Sequence, residues 1–302
     1  MLFRSMADFS PEARRSAIWA TDARRIADGR GADVWLYKTG QKEQEDISHL
    51  EPVQWGLRLQ EPIARAVSDR LNVRLKELDI EGTHAKLPWM RSHFDFVSED
   101  NKTLFEIKNY NANRRSKFGD NGTTDVPVAD LAQCIHEAAV FGVSMVNLCV
   151  LFGGQELCIY PIEVDESMIQ TLIDQEAALW AHVQTRTPPE AFHPDDLRAL
   201  FPRDDGGYKV APREIEAACV KLKQIKQQIK HLEEQEELLA GMVQNCMGET
   251  SLIQTVDGHT LATWKKATDS KRFDVKRFQA EMPKVYDQFV VVAPGSRRFL
   301  VK

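Results

Sequence analysis

The sequence predicts an α/β protein: a mixed central sheet flanked by helices, followed by a long C-terminal helical extension and a small basic α+β module. Three observations lead there. Apolar runs of strand length alternate with amphipathic helical stretches over the first 190 residues. A stretch rich in Pro, Asp and Gly, residues 186–212, then interrupts the pattern. After it, Ile215, Ala218, Leu222, Ile225, Ile229, Leu232, Leu239 and Val243 recur at alternating three–four spacing, broken only by Glu236. The expected division is a core over 1–190, a linker and heptad-patterned helix over 191–247, and a basic module over 248–302.

Taken in order, residues 10–30 read as one helix, with Ser10-Pro11 supplying N-cap and first turn. A second helix runs from Trp55 to about Arg74, where Leu59, Ile63, Val67 and Leu71 form a period-four stripe. Pro62 inside it implies a start or a kink there. Strands are expected over His93 to Val97 and Leu104 to Tyr110, joined by the polar turn Ser98-Glu99-Asp100-Asn101-Lys102. A basic, Asn-rich loop follows over 109–124, then a helix over 128–142. Met145 to Phe152 and Glu156 to Ile162 form a hairpin through Gly153-Gly154. A periodic helix covers 165–185. Beyond the heptads, a hairpin around Asp257-Gly258, a helix near Asp274–Met282 and a terminal strand complete the basic module.

Of the 302 residues, 43% are hydrophobic and 28% charged, values that suit a globular chain; no apolar stretch reaches the ~18 residues of a membrane helix. The apolar run in Met1–Met6 is too short for a signal peptide, so the expected compartment is the cytoplasm. Five cysteines, none in a CxxC pair, read as buried or incidental thiols. The net charge of −6 conceals an asymmetry. From Trp264 to Lys302 there are ten Lys/Arg against four Asp/Glu, a local +6, which leaves −12 for the rest. Such a chain can gather carboxylates around a cation and grip phosphates elsewhere.

The segment from Asp95 to Lys108 carries the chemistry. A hairpin centred between Asp100 and Asn101 sets Asp95 opposite Glu106, and strand alternation aims Glu106 and Lys108 the same way. Directly opposed residues lie about 5 Å apart. Two carboxylates and an ammonium then converge. The carboxylates repel unless a cation neutralises them, and Mg²⁺ is satisfied by one or two carboxylates plus water and phosphate oxygens. By itself Asp-x10-Glu-x-Lys is degenerate and also describes an ordinary surface hairpin. Its apolar setting, Leu104, Phe105 and Ile107, makes charged residues there unusual.

This segment resembles the PD-(D/E)XK nuclease motif, and its surroundings resemble the lambda exonuclease/YqaJ-like viral recombinase family. Arg14-x-x-Ala17-Ile18-Trp19-Ala20-Thr21-Asp22 is similar to the family's Arg-x-x-Gly-Ile-Gly-Gly-Ser-Asp. Trp55-Gly56-x-x-Leu59-x-Glu61-Pro62 is similar to Trp-Gly-x-x-x-Glu-Pro, with one residue more before the Glu. Val126-Pro127 followed by Gln133-x-x-His136 resembles Val-Pro…Gln-x-Gln-His, and Lys271–Asp274 with Ser296–Phe299 resembles the tail of longer members. Trp19 and Ala20 replace two glycines, Phe96 replaces the Gly after the catalytic Asp, and Asp130 replaces a Tyr.

The resemblance implies a PD-(D/E)XK restriction-endonuclease-like core and a Mg²⁺-dependent exonuclease. It would degrade duplex DNA 5′→3′ to 5′-mononucleotides and leave a 3′ overhang for a single-strand annealing recombinase, in a phage or prophage setting. Asp95 and Glu106, with the Ile107 carbonyl, would bind one or two ions, Mn²⁺ being able to substitute. Lys108 would be the catalytic lysine. Glu61 would bind a second metal or the attacking water, and Gln133 would support the site. His136 is a further candidate, as readily a structural histidine. Arg14 and Thr21, seven residues apart on the expected helix and so on one face, look like the pair that holds a 5′-phosphate. Arg114, Arg115 and Lys117 could grip the DNA backbone or be a plain solvated loop. Lambda-type members form toroidal trimers; the heptads imply self-association or packing against the core. The alternatives are a structure-specific or nicking endonuclease with the same metal site, or a DNA-end-binding, partner-recruiting protein with little activity.

Overall fold

A computed structural model describes residues 2–5, 10–43, 46–78, 80–292 and 295–302. The chain divides into two compact units, residues 1–202 and 203–302. Among the described residues no helix is long and apolar enough to cross a membrane.

The first unit opens with β1 (Leu2–Ser5), α1 (Pro11–Arg15), β2 (Ile18–Trp19), α2 (Ala20–Ala27), α3 (Gly31–Lys38) and α4 (Glu51–Leu71). The single helix expected over 10–30 is therefore broken. Ile18 and Trp19 leave the helix to pair in parallel with Met90 and Arg91, and both are buried. A β-branched and an aromatic residue in succession favour that extended, packed state. By contrast α4 starts earlier than expected and runs straight through Pro62 to a left-handed cap at Asn72. Its face of Ile63, Ala64 and Val67 is buried, and that packing keeps the helix intact despite the hydrogen bond a proline cannot make.

Next come β3 (Leu75–Glu77), β4 (Ile80–Thr83), β5 (Met90–His93), β6 (Phe96–Ser98), β7 (Thr103–Tyr110), a 3₁₀ turn (Ala112–Lys117), α5 (Val128–Phe141), β8 (Met145–Phe152), β9 (Glu156–Glu163), α6 (Glu166–Thr185) and α7 (Pro194–Leu200). The strands form two sheets. One has the order β1-β4-β5-β2; the other is mixed, with the order β3-β6-β7-β8-β9. In the latter, β7 and β8 are parallel and α5 is the crossover between them, while the other pairs are antiparallel. The strand expected over 93–97 is divided at Phe94-Asp95, where the chain passes from one sheet to the other. Alternation along β7 sends Phe105 and Ile107 into the apolar cluster beneath α4, and Leu104 into the cluster containing Ala132 and Ile135 of α5. The central sheet is thus covered by a helix on each side, as the sequence predicts.

Part of the stretch read as a linker is ordered into the first unit. Arg30 holds Asp196 of α7 at 2.7 Å, and Asp196 is buried. The second unit holds α8 (Arg213–Met247), a hairpin of β10 (Leu252–Gln254) and β11 (Thr260–Thr263), α9 (Val275–Glu281) and α10 (Pro283–Phe289). The terminal strand is not formed: after Phe289 none of the described residues is in a strand.

Candidate active site

The β6–β7 hairpin has the register expected of a turn centred between Asp100 and Asn101. Phe96 faces Phe105 and Val97 faces Leu104, so the next pair outward is Asp95 and Glu106. Asp95 no longer continues the ladder with its backbone; its Oδ2 accepts the Ile107 N–H at 2.8 Å in place of a main-chain carbonyl. The N–H and C=O of one strand residue point to the same edge, so the Ile107 carbonyl lies on this side too.

Both covering helices reach this pair. From α4, the Gln60 amide donates to Asp95 Oδ1. From α5, Gln133 Nε2 donates to Glu106 Oε1 at 2.6 Å and to Glu137 Oε1 at 2.8 Å. Lys108 Nζ stands 2.5 Å from the same Glu106 oxygen. Glu106, Gln133 and Glu137 are all buried. Burial, reinforced by the charge of Glu106, pushes the Asp95 carboxyl well above its ordinary range. The Glu137 carboxyl is pushed up for the same two reasons. Burial pulls Lys108 down, but Glu106, Tyr110 and Asp95 outweigh it and hold the ammonium above its usual value. Lys108 therefore keeps its proton.

Among the described residues no group of three or more His, Cys, Asp and Glu is placed to hold a metal ion. The acidic groups that meet beside the hairpin are Asp95 and Glu106, with Glu137 behind them, joined to Glu106 through Gln133. Asp95 and Glu106 fit a hard cation that takes one or two carboxylates and completes its shell with water and phosphate.

Glu61 does not join them. Its side chain is 55% exposed and pairs with Arg65 at 2.5 Å. With 3.6 residues per turn, Gln60 shares the buried face of Ile63, Ala64 and Val67, and Glu61 is turned off it. The extra residue after Trp55-Gly56 has rotated the carboxylate into solvent and put an amide in its place.

His136 is also elsewhere engaged. It is fully buried, with Nδ1 2.8 Å from Glu176 Oε1 and Nε2 2.9 Å from the Arg91 carbonyl oxygen. Neither ring nitrogen is open to substrate, so it is a structural tie between α5, α6 and β5.

Arg14 and Thr21 do meet, 3.3 Å apart, but across the break between α1 and α2 and not along one helix. Trp19 contributes to that geometry. Its ring stacks on His93 at 4.8 Å between centroids, and the Arg14 guanidinium lies 5.2 Å from its centroid. Arg14 and Thr21 line a cleft of about 520 Å³ in which Arg24, Arg25 and Lys42 are balanced by Asp22, Asp28, Asp33 and Glu43; Arg25 and Lys42 are paired with Asp33, and Arg24 with Asp130.

The basic loop after β7 is a 3₁₀ turn whose arginines have partners. Arg115 binds Glu156 at 2.8 Å and the carbonyls of Phe118 and Gly119. Arg114 lies over the Tyr110 ring at 4.2 Å, 3.7 Å from Asp130. Lys117 is exposed. The sequence reading missed Gln60, Glu137 and the buried knot in which Asp130 takes Arg24 at 2.5 Å and the Tyr110 hydroxyl at 2.5 Å. A signal existed for α5: Asp130, Gln133 and Glu137 form a polar stripe at three–four spacing on an otherwise apolar helix.

The mixed central sheet is flanked by helices, and Asp95, Glu106 and Lys108 converge at the edge of its central hairpin. Residues 11–144, which include every one of these groups, match the family model of the YqaJ-like viral recombinase domain. Among solved structures the chain is similar to an alkaline exonuclease (LHK-Exo) from Laribacter hongkongensis, with 15% identity, a TM-score of 0.45, and coverage of 58% of this chain and 91% of that one. It is also similar to a phage-related exonuclease from Haemophilus somnus 129PT, with 10% identity, a TM-score of 0.45, and coverage of 56% and 94%. No curated protein matches the sequence.

Proposed function

We propose that the protein is a metal-dependent deoxyribonuclease that degrades duplex DNA from its ends. The observation that carries this reading is the convergence of Asp95, Glu106 and Lys108 within the stretch that matches the YqaJ-like viral recombinase domain. Asp95 and Glu106, with the Ile107 carbonyl, would hold the cation, Mg²⁺ by its preference for oxygen donors, with Mn²⁺ as a substitute; two acidic ligands suit one ion better than two. When bound, the cation polarises the scissile phosphate and lowers the pKa of a water.

The chain's own residues do the rest. Gln133 fixes the rotamer of Glu106, and Gln60 that of Asp95. Lys108, charged and anchored on Glu106, offers its remaining N–H groups to the attacking water or to the oxygens on which charge develops. Arg14 and Thr21, which meet at 3.3 Å, would seat a terminal 5′-phosphate, a reading that goes with 5′→3′ polarity, mononucleotide products and a 3′ overhang for a single-strand annealing partner. Lys117 and Arg114 would touch the DNA backbone, with Arg115 bracing their turn. A cytoplasmic phage or prophage enzyme acting as a homo-oligomer completes the reading.

The test is incubation with Mg²⁺ of linear duplex carrying 5′-phosphates beside a covalently closed circle. Mononucleotide release from the linear substrate alone is expected. Cutting of the circle would mean an endonuclease, and no cleavage of either would mean an end-binding scaffold.

A further inference from the structure

The helix α8 is 35 residues long, about 52 Å at 1.5 Å per residue, and nothing described within its own unit covers its apolar seam. Ile229 is 48% exposed and Leu232 62% at its centre; Ile215, Ile225, Leu239 and Val243 are exposed to either side. An apolar stripe of that length asks for a partner, and its charge pattern indicates which. Residues 213–230 carry Arg213, Lys221, Lys223, Lys226 and Lys230 against Glu214 and Glu216, a net of +3. Residues 231–247 carry Glu233, Glu234, Glu236 and Glu237 and no Lys or Arg, a net of −4. A second copy running the opposite way lays each half on its complement.

We propose that α8 pairs with α8 of a second copy as an antiparallel two-stranded coiled coil. The alignment that overlaps the whole helix sets Ile229 of one copy on Leu232 of the other, Leu222 on Leu239, Ala218 on Val243 and Ile215 on Cys246. The flanking positions then bring Lys226 against Glu233, twice by symmetry. Sliding one copy by a heptad either way would set Lys226 on Lys226 or Glu233 on Glu233, so charge also selects the axial register. Glu236, the one polar residue in the seam, distinguishes the orientations. A parallel pair would face it with its own copy and oppose Lys221 to Lys226; the antiparallel pair seats it on Ile225, beside Lys226 and one turn from Lys221. A lone polar seam residue of this kind sets orientation at some cost in stability.

The experiment uses the full-length chain and two cysteines that are exposed, Cys219 and Cys246. In a C219S background, mild oxidation should leave Cys246 uncoupled, while Ile215→Cys should form a covalent dimer that Cys246→Ser abolishes. Sedimentation should show self-association in the unmodified protein, weakened at least about tenfold by Lys226→Glu or by Glu233→Lys and restored when the two are combined. A Cys246–Cys246 bridge, a strictly monomeric protein, or a double charge swap no better than either single one would overturn the proposal. Nuclease activity bears on none of these outcomes.

Discussion

Replacing Gln60 and Glu61 one at a time separates what the motif suggests from what the fold does. The motif's acidic residue, Glu61, makes one exposed i,i+4 pair with Arg65, and such a pair is worth about 0.3–0.5 kcal/mol. Glu61→Gln should leave duplex degradation within about twofold of the parent and lower the melting temperature barely at all. Gln60 holds a carboxylate that is also a proposed metal ligand. A hydrogen bond to a charged group contributes about 1.5–3 kcal/mol, so its loss in Gln60→Ala should reduce kcat/KM by about ten- to 150-fold if the bond serves only to place Asp95. Gln60→Glu should act oppositely on two readouts. A third carboxyl beside Asp95 and Glu106 should destabilise the metal-free protein and tighten Mn²⁺ binding measured by calorimetry. Inactivation by Glu61→Gln with a silent Gln60→Ala would refute the reasoning, because it would mean that α4 presents the next residue to the site.

Three further outcomes follow from the same contacts. Asp95 and Glu137 have carboxyls held above their ordinary range, so the metal-free fold binds their protons more tightly than the unfolded chain does. Their contribution therefore falls as pH rises from about 4 through the folded values, and a cation that requires ionised Asp95 should raise the melting temperature more at pH 8.5 than at pH 6. Equal shifts at both would exclude Asp95 as a ligand. Arg14→Ala should slow digestion of 5′-phosphorylated ends by about ten- to 100-fold while leaving 5′-hydroxyl ends unchanged in single-turnover assays; equal losses on both would remove Arg14 from phosphate recognition. Burial lowers His136, but Glu176 raises it further, so its folded pKa lies above 6.5. The stability from this pair is complete below about pH 6.5 and is lost as pH climbs through the folded value. His136→Ala should cost about 3–5 kcal/mol at pH 6 and less at pH 9, as denaturant titration would show.

The legible parts of the site were those fixed by local symmetry. The turn from Ser98 to Lys102 sets the β6–β7 register by itself, and strand alternation then places Asp95, Glu106 and Lys108 without tertiary information. The central sheet was legible because β8, β9 and α5 are long and strongly patterned. What eluded sequence reasoning depends on partners distant in the chain. Ile18-Trp19 interrupts a helical pattern only because Met90-Arg91 offers an edge to pair with. Asp130 looks like a surface acid until Arg24, 106 residues away, closes on it. The choice between Gln60 and Glu61 is a matter of helix phase, set by which residues of α4 meet Phe96, Phe105 and Ile107. His136 was left open in the same way, and Glu176 decides it.

The central claim is that Asp95 and Glu106 hold a cation while Lys108 acts on the reacting groups. Comparing Glu106→Ala with Lys108→Ala tests it most directly, with Mn²⁺ binding and mononucleotide release measured on the same preparations. The account predicts that Glu106→Ala loses both, and that Lys108→Ala still binds Mn²⁺ but loses release by several orders of magnitude. Undiminished Mn²⁺ binding in Glu106→Ala, or undiminished release in Lys108→Ala, would contradict it.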